Sequence, residues 1–184
     1  TFFNGGRRPG GMKAVVVRRG EHEPRVVERP RPVPETGEAL VRVLRVGIDG
    51  TDREVLRGAH GGFPAGADEM VLGHEAVGVV ADANGTGLPA GTVVVPTVRT
   101  PAEGGDRSWF DRGEPDMAPW EGGDFHERGI AGSDGYMAEY VTRPAEALVR
   151  IPVEQAAVGF LVEPLSIAVK AVEHATAARS AFDW

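Results

Sequence analysis

The segment from Val71 to Val80 reads VLGHEAVGVV, and its adjacent His74 and Glu75 stand in a run that is otherwise apolar or glycine. Burying an ionised carboxylate without a partner costs several kcal/mol, so this pair needs something to hold. The helical metalloprotease motif H-E-x-x-H does not apply, because Gly78 stands where the second histidine is required. The run is rich in valine, which favours a strand. Neighbours on a regular strand point to opposite faces, so a joint site needs an irregular backbone. Gly73, immediately before the pair, permits one. Taken alone, a histidine in an apolar segment is more often a satisfied core residue than a metal ligand.

Working outward, further Val-, Ile- or Leu-rich runs predict strands at KAVVVRR (13–19), ALVRVLRVGI (39–48), EAVGVVAD (75–82), TVVVPTV (92–98), YMAEYVT (136–142) and ALVRIP (147–152). Glycine, proline and aspartate punctuate them, and glycine stands at 26 residues, about twice its usual share of roughly 7%. Short strands joined by many turns point to a barrel or sandwich. Residues 100–134 show no helical or strand period and read as one long loop. After Pro152 the pattern changes: Leu165, Ala168, Val169, Val172 and Thr176 share one helical face, with Pro164 suited to the first turn.

Composition excludes several classes. The formal charge of −7 and the lack of a basic stripe argue against nucleic-acid binding. Absence of cysteine removes disulfides, thiolate metal ligands and cysteine nucleophiles together. No apolar run approaches the roughly 20 residues of a membrane span, and no signal-peptide core is present, so a soluble cytoplasmic protein is expected. Lysine occurs only at Lys13 and Lys170; an acidic, lysine-poor surface suits a salt-adapted interior, and a GC-rich genome would equally exchange lysine for arginine. The letters GTGLPA, Gly85–Ala90, match a dinucleotide fingerprint. They lead into a strand instead of a helix N-terminus, so they are read as a turn.

Two further polar groups join the His-Glu pair. VGIDGTD ends an apolar strand with Asp49, Thr51 and Asp52, which could equally be an ordinary turn. Glu163 stands before Pro164 at the start of the late helix, where capping alone would explain it. One metal ion would account for Asp49, His74, Glu75 and Glu163 at once.

With these residues in place, the chain resembles the zinc-dependent medium-chain alcohol dehydrogenases. The blocks MKAVVV, RVGIDGTD, GHEAVGVV, GTVVVPT, GYMAEYV and VEPLSIAVKAV carry the likeness in order. GAHGGFP, EPDMAP, ERGI and RSAFDW make it similar to the haloarchaeal branch of the archaeal glucose dehydrogenases. The resemblance implies a mainly β chain with some α: a GroES-like β-barrel catalytic domain over 12–152. Residues 153–184 would be a helical segment leading to a missing Rossmann domain, and residues 1–11 a disordered extension. It implies a glucose 1-dehydrogenase that oxidises an aldose at C1 to the lactone by zinc-assisted hydride transfer to NADP or NAD. The 184 residues alone would then be inactive, and the full-length protein a homo-oligomer.

The same resemblance assigns Asp49, His74, Glu75 and Glu163 to the metal, with Asp49 in place of the family's usual cysteine. Thr51 would hydrogen-bond the reacting hydroxyl and Asp52 would orient His74. Glu127, together with Thr51, Glu75, Glu163 and Thr97, would contact the sugar. Two departures stand out. Glu54 replaces the family's relay histidine, and the 100–134 loop lacks the four cysteines of a structural zinc, so one catalytic zinc and no structural zinc is expected. Trp109, Phe110 and Trp120 would hold that loop instead, or the loop would be mobile. A related polyol or alcohol dehydrogenase domain, or a metal-free GroES-like binding module, are the alternative readings.

Overall fold

The computed structural model describes residues 10–115, 118 and 123–180. The described chain is mainly β. Strands β1 (Gly11–Arg18), β2 (Arg25–Pro30) and β4 (Glu69–Val71) form one sheet in the order β2-β1-β4. The central sheet contains β3 (Glu38–Val46), β5 (Ala76–Asp82), β6 (Val93–Pro96), β10 (Tyr140–Pro144) and β11 (Leu148–Arg150), in the order β10-β3-β5-β6-β11. A third small sheet joins β7 (Arg99–Pro101), β8 (Phe125–Arg128) and β9 (Gly132–Ser133). The α-helices among the described residues are α1 (Gly50–Leu56), α2 (Ser108–Asp111) and α3 (Val162–Ser180), with short 3-10 turns at Ala145–Ala147, Val153–Gln155 and Gly159–Leu161. Among the described residues, no helix is long and apolar enough to cross a membrane.

The valine-rich runs form strands because β-branched side chains pack well on a pleated, half-buried surface. Alternation places Met12, Ala14 and Val16 inside on β1, while Ala39 and Val41 on β3 meet Ala76 and Val80 on β5 and Val94 on β6. Buried Tyr136 joins that core and donates its hydroxyl to the Thr97 carbonyl at 2.5 Å.

Three expectations are corrected. The strand expected at 136–142 is regular only from Tyr140. Upstream, Gly135, Tyr136 and Met137 donate their N–H groups to the carbonyls of Val71, Gly73 and Leu72, which takes that segment off the central ladder. Residues 100–134 are not one unstructured loop: β7 pairs antiparallel with β8, and β9 pairs parallel with β8. These strands are two to four residues long and lack an apolar run, so no periodicity announces them. Finally, Gly11 already belongs to β1, opposite Pro30, so the body begins before Met12. Residues 1–9 of the expected extension, and Trp120 of the aromatic set proposed for the loop, lie outside the described residues. Within that set, Trp109 stacks under the Arg112 guanidinium at 4.4 Å.

Asp134 ties the 134–137 segment to the strand that leads into His74. Its Oδ1 accepts the Val71 N–H at 2.7 Å, and its Oδ2 pairs with Arg29 Nη1 at 2.8 Å. Replacing Asp134 by alanine strands that N–H and is expected to destabilise the fold by about 1–3 kcal/mol. A lower urea midpoint at unchanged slope is the expected readout, and an unchanged midpoint would refute this linking role.

Candidate metal centre and adjoining cleft

His74 and Glu75 sit in the irregular turn between β4 and β5, and Gly73 provides the irregularity with φ of 89°. A Cβ at Gly73 would lie 2.5 Å from Met137 Cγ, so neither the backbone conformation nor the space admits a side chain. Both side chains of the pair are thereby turned inward: His74 is 4% exposed and Glu75 5%. Gly47, after β3, makes room for the carboxylate. A Cβ there would lie 1.7 Å from Glu75 Oε2, and its own N–H donates to the Glu75 carbonyl at 2.9 Å.

Asp49 caps α1. Its Oδ1 accepts the Asp52 N–H at 3.2 Å and its Oδ2 accepts the Thr51 hydroxyl at 3.1 Å, while Asp52 Oδ2 accepts the Asp49 N–H at 3.1 Å. This reciprocal capping box is the ordinary turn that the sequence also allowed. It has a second consequence: it fixes both carboxylates against His74. Asp49 Oδ1 lies 3.7 Å from Nε2, and Asp52 Oδ1 lies 3.7 Å from Nδ1 on the other side of the ring. Both separations are too long for hydrogen bonds. Asp52 Oδ1 and His74 Nδ1 are buried and have no hydrogen-bond partner among the described residues.

Glu163 reaches the same place from the first turn of α3. Ligand atoms of His74, Glu75 and Glu163 lie within 4.8 Å of one another, as do those of Asp49, Asp52 and His74. The electrostatics match this crowding. Burial opposes charge on His74 but is outweighed by Asp52, Glu163 and Asp49, so its pKa is raised. Burial pushes the Glu75 carboxyl up, Asp49 and Asp52 push it further, and His74 opposes them. Such a concentration of acceptors is relieved by a cation.

The donor set fits zinc. Carboxylate and imidazole ligands bind it at about 2.0–2.2 Å, which places tetrahedral ligand atoms about 3.4 Å apart. The 3.7 Å between His74 Nε2 and Asp49 Oδ1 is close to that spacing. Asp52 lies on the Nδ1 side of the ring, where an outer carboxylate can fix an imidazole's tautomer.

Next to this centre lies a cleft of about 310 Å³ between α3 and the small third sheet. Its walls include Thr97, Arg99, Glu127, Ile130, Glu163 and Lys170, so Glu163 belongs to both the acidic centre and the cleft. Glu127 accepts from Arg99 Nε at 3.0 Å. The Thr97 hydroxyl is turned toward buried Arg143, whose Nη2 lies 3.5 Å away. The structure thus brings Asp49, Thr51, Asp52, His74, Glu75 and Glu163 together, with Glu127 and Thr97 along the adjoining wall. Glu54, at the position of the family's relay histidine, is on the exposed face of α1. Two residues at this site escaped the sequence reading. Gly47 was visible only as part of VGIDG, and nothing in the sequence singles out Arg99.

The described chain is thus a mainly β body with a buried His-Glu pair beside a helix-capping aspartate. The chain belongs to the alcohol dehydrogenase GroES-like domain family, which matches residues 35–153. It is 62% identical to the glucose 1-dehydrogenase of Haloferax mediterranei over 173 residues, 94% of this chain and 48% of that protein. With the glucose 1-dehydrogenase of Haloarcula marismortui it shares 61% over the same shares of each chain. A solved structure of the Haloferax mediterranei glucose dehydrogenase in complex with NADP, zinc and gluconolactone matches with a TM-score of 0.90, covering 94% of this chain and 48% of that one. The chain therefore spans about half the length of the curated relatives it matches.

Proposed function

We propose that this chain is the catalytic part of a zinc-dependent, NAD(P)-dependent glucose 1-dehydrogenase that oxidises an aldose at C1 to the lactone. The observation that carries this reading is the position of Glu163, shared between the His74-Glu75 centre and the cleft lined by Glu127. A sugar in that cleft presents one hydroxyl to the metal centre and others to the wall. The haloarchaeal relatives, and the NADP, zinc and gluconolactone held by one of them, support the same assignment. Residues 153–180 are read as the passage to a nucleotide-binding domain, the last four residues of the expected 153–184 segment lying outside the described residues. The exposed apolar side chains Leu165, Ile167, Val169 and Val172 on α3 suit a helix that packs against further structure.

Asp49, His74, Glu75 and Glu163 are the proposed metal ligands, and Asp52 the carboxylate that holds His74 in its ligating tautomer. Zinc bound there supplies Lewis acidity that makes the anomeric hydroxyl easier to deprotonate. Thr51 Oγ1, which donates to Asp49 Oδ2 at 3.1 Å, would hydrogen-bond the reacting hydroxyl and hand its proton on to water. A nicotinamide bound alongside would supply the hydride acceptor, and loss of hydride from C1 would leave the lactone carbonyl. Glu127 accepts from a sugar hydroxyl away from the reacting carbon, which discriminates more sharply than an apolar contact.

The test is oxidation of glucose by the full-length protein with NADP or NAD, following reduced nicotinamide and lactone. Activity is expected to vanish on chelation and to return with zinc. Turnover of monohydric alcohols but not aldoses would reassign it to the related alcohol dehydrogenases. Undiminished turnover after complete zinc removal would overturn the proposal.

A further inference from the structure

Arg99 and Glu127 face each other in register across β7 and β8, and their side chains are 23% and 13% exposed. Three contacts pin the guanidinium. Nε donates to Glu127 Oε1 at 3.0 Å, Nη1 donates to the Pro115 carbonyl at 3.1 Å, and Cζ lies 4.2 Å over the Phe125 ring. Among the described residues, Glu127 Oε2 and Arg99 Nη2 make no hydrogen bond. The paired groups are therefore preorganised, with one acceptor atom and one donor atom left over on the wall of the cleft. A guanidinium only donates and a carboxylate only accepts, so the two cannot substitute for one another.

We propose that Arg99 and Glu127 act as one recognition unit for two neighbouring hydroxyls of the sugar, Glu127 accepting from one and Arg99 donating to the next. The proposal rests on the reading of the cleft as a sugar site and adds Arg99 to it as a specificity-determining residue. The pair carries no net charge, so it suits a neutral polyhydroxylated substrate better than a sugar acid or phosphate. A monohydric alcohol leaves both polar atoms unpaired, and a site built for hydroxyls rejects analogues that lack them. Lysine replaces the fork poorly, because its three donors radiate from one nitrogen and lack the rigid planar spread that reaches Glu127 and the Pro115 carbonyl with a separate nitrogen left for a substrate.

The experiment uses the full-length enzyme as wild type, Arg99→Met, Arg99→Lys, Glu127→Gln and the Arg99→Met/Glu127→Gln double variant. KM and kcat are measured for glucose and its monodeoxy analogues, with zinc content and Tm alongside. Arg99→Met is expected to raise the glucose KM about tenfold while kcat changes less than about threefold. Arg99→Lys should recover only part of that loss. The double variant should be at most about twofold worse than the poorer single variant, because the residues act as a unit. One monodeoxy analogue should bind poorly to wild type and be indifferent to Arg99→Met.

An unchanged glucose KM in Arg99→Met, with Glu127→Gln impaired, would overturn the role of Arg99 and leave the sugar reading standing. Equal losses on every analogue, or full additivity in the double variant, would make Arg99 merely structural and overturn it too. No KM change in either single variant, at normal zinc content, would defeat both the pair and the sugar site. Should Arg99→Met lower Tm, Arg99→Lys carries the same comparison.

Discussion

Replacing His74 by alanine is expected to abolish zinc binding while the β-body persists: elemental analysis after exhaustive dialysis should fall from about one zinc per chain to background. No other single change should have a larger effect, because His74 is common to both groups of converging ligand atoms. Its imidazole is the one nitrogen donor among acceptor oxygens, and it is wedged between Asp49 and Asp52 at 3.7 Å on either side. In the full-length enzyme the loss should reach several orders of magnitude in kcat. Asp52→Asn provides the contrast. It keeps every proposed ligand and disturbs only the group facing Nδ1, so zinc affinity should fall about 10–100-fold without stoichiometric binding being lost. Measurements belong in high salt, and circular dichroism must show the strands intact. A His74→Ala chain that retains one zinc through dialysis would place the metal elsewhere.

Gly47→Ala is expected to be nearly as damaging although glycine contributes no ligand. Its new methyl group would stand 1.7 Å from Glu75 Oε2, 2.8 Å from Cδ and 3.0 Å from Cβ. The carboxylate has to leave its position or the backbone has to shift, and such overpacking costs about 1–3 kcal/mol. Zinc affinity should drop at least about tenfold, since each 1.4 kcal/mol lost at the site is one decade. Gly50→Ala is the matched control: a Cβ there meets nothing within 4 Å, so it tests glycine loss three residues away without crowding the site. Alanine at that first helical position should be neutral or stabilise by a few tenths of a kcal/mol to about 1 kcal/mol. Equal zinc affinity in the Gly47→Ala chain and its control would show that Glu75 does not need that space.

Legibility in the sequence followed the range of the interaction. The runs at 13–19, 75–82, 92–98 and 147–152 overlap β1, β5, β6 and β11, because β-branched residues facing a core leave a local trace. Strand β2 left little trace. Its RVVERP sequence alternates with charge, and Val26 is 69% exposed on a sheet edge. Strands β7 to β9 left none, since their pairing depends on partners elsewhere in the chain. The candidate site divides the same way. Asp49, His74, Glu75 and Glu163 drew attention as residues with local bland explanations, and the capping box shows that the bland explanation for Asp49 holds together with its place beside His74.

The class was legible in the residues themselves: valine-rich strands punctuated by glycine and proline, no thiols, a His-Glu pair behind a glycine and a second acidic group in Asp49 and Asp52. Composition and short-range pattern are properties of neighbouring residues, so they can be read directly. Only the tertiary structure decided that Gly47 is the space for Glu75, that Asp134 braces the strand before His74, and that Arg99 meets Glu127 on the wall that Glu163 shares. Each of these is a contact between distant segments, set by strand register and by excluded volume. Neither quantity is written in any one stretch of the chain.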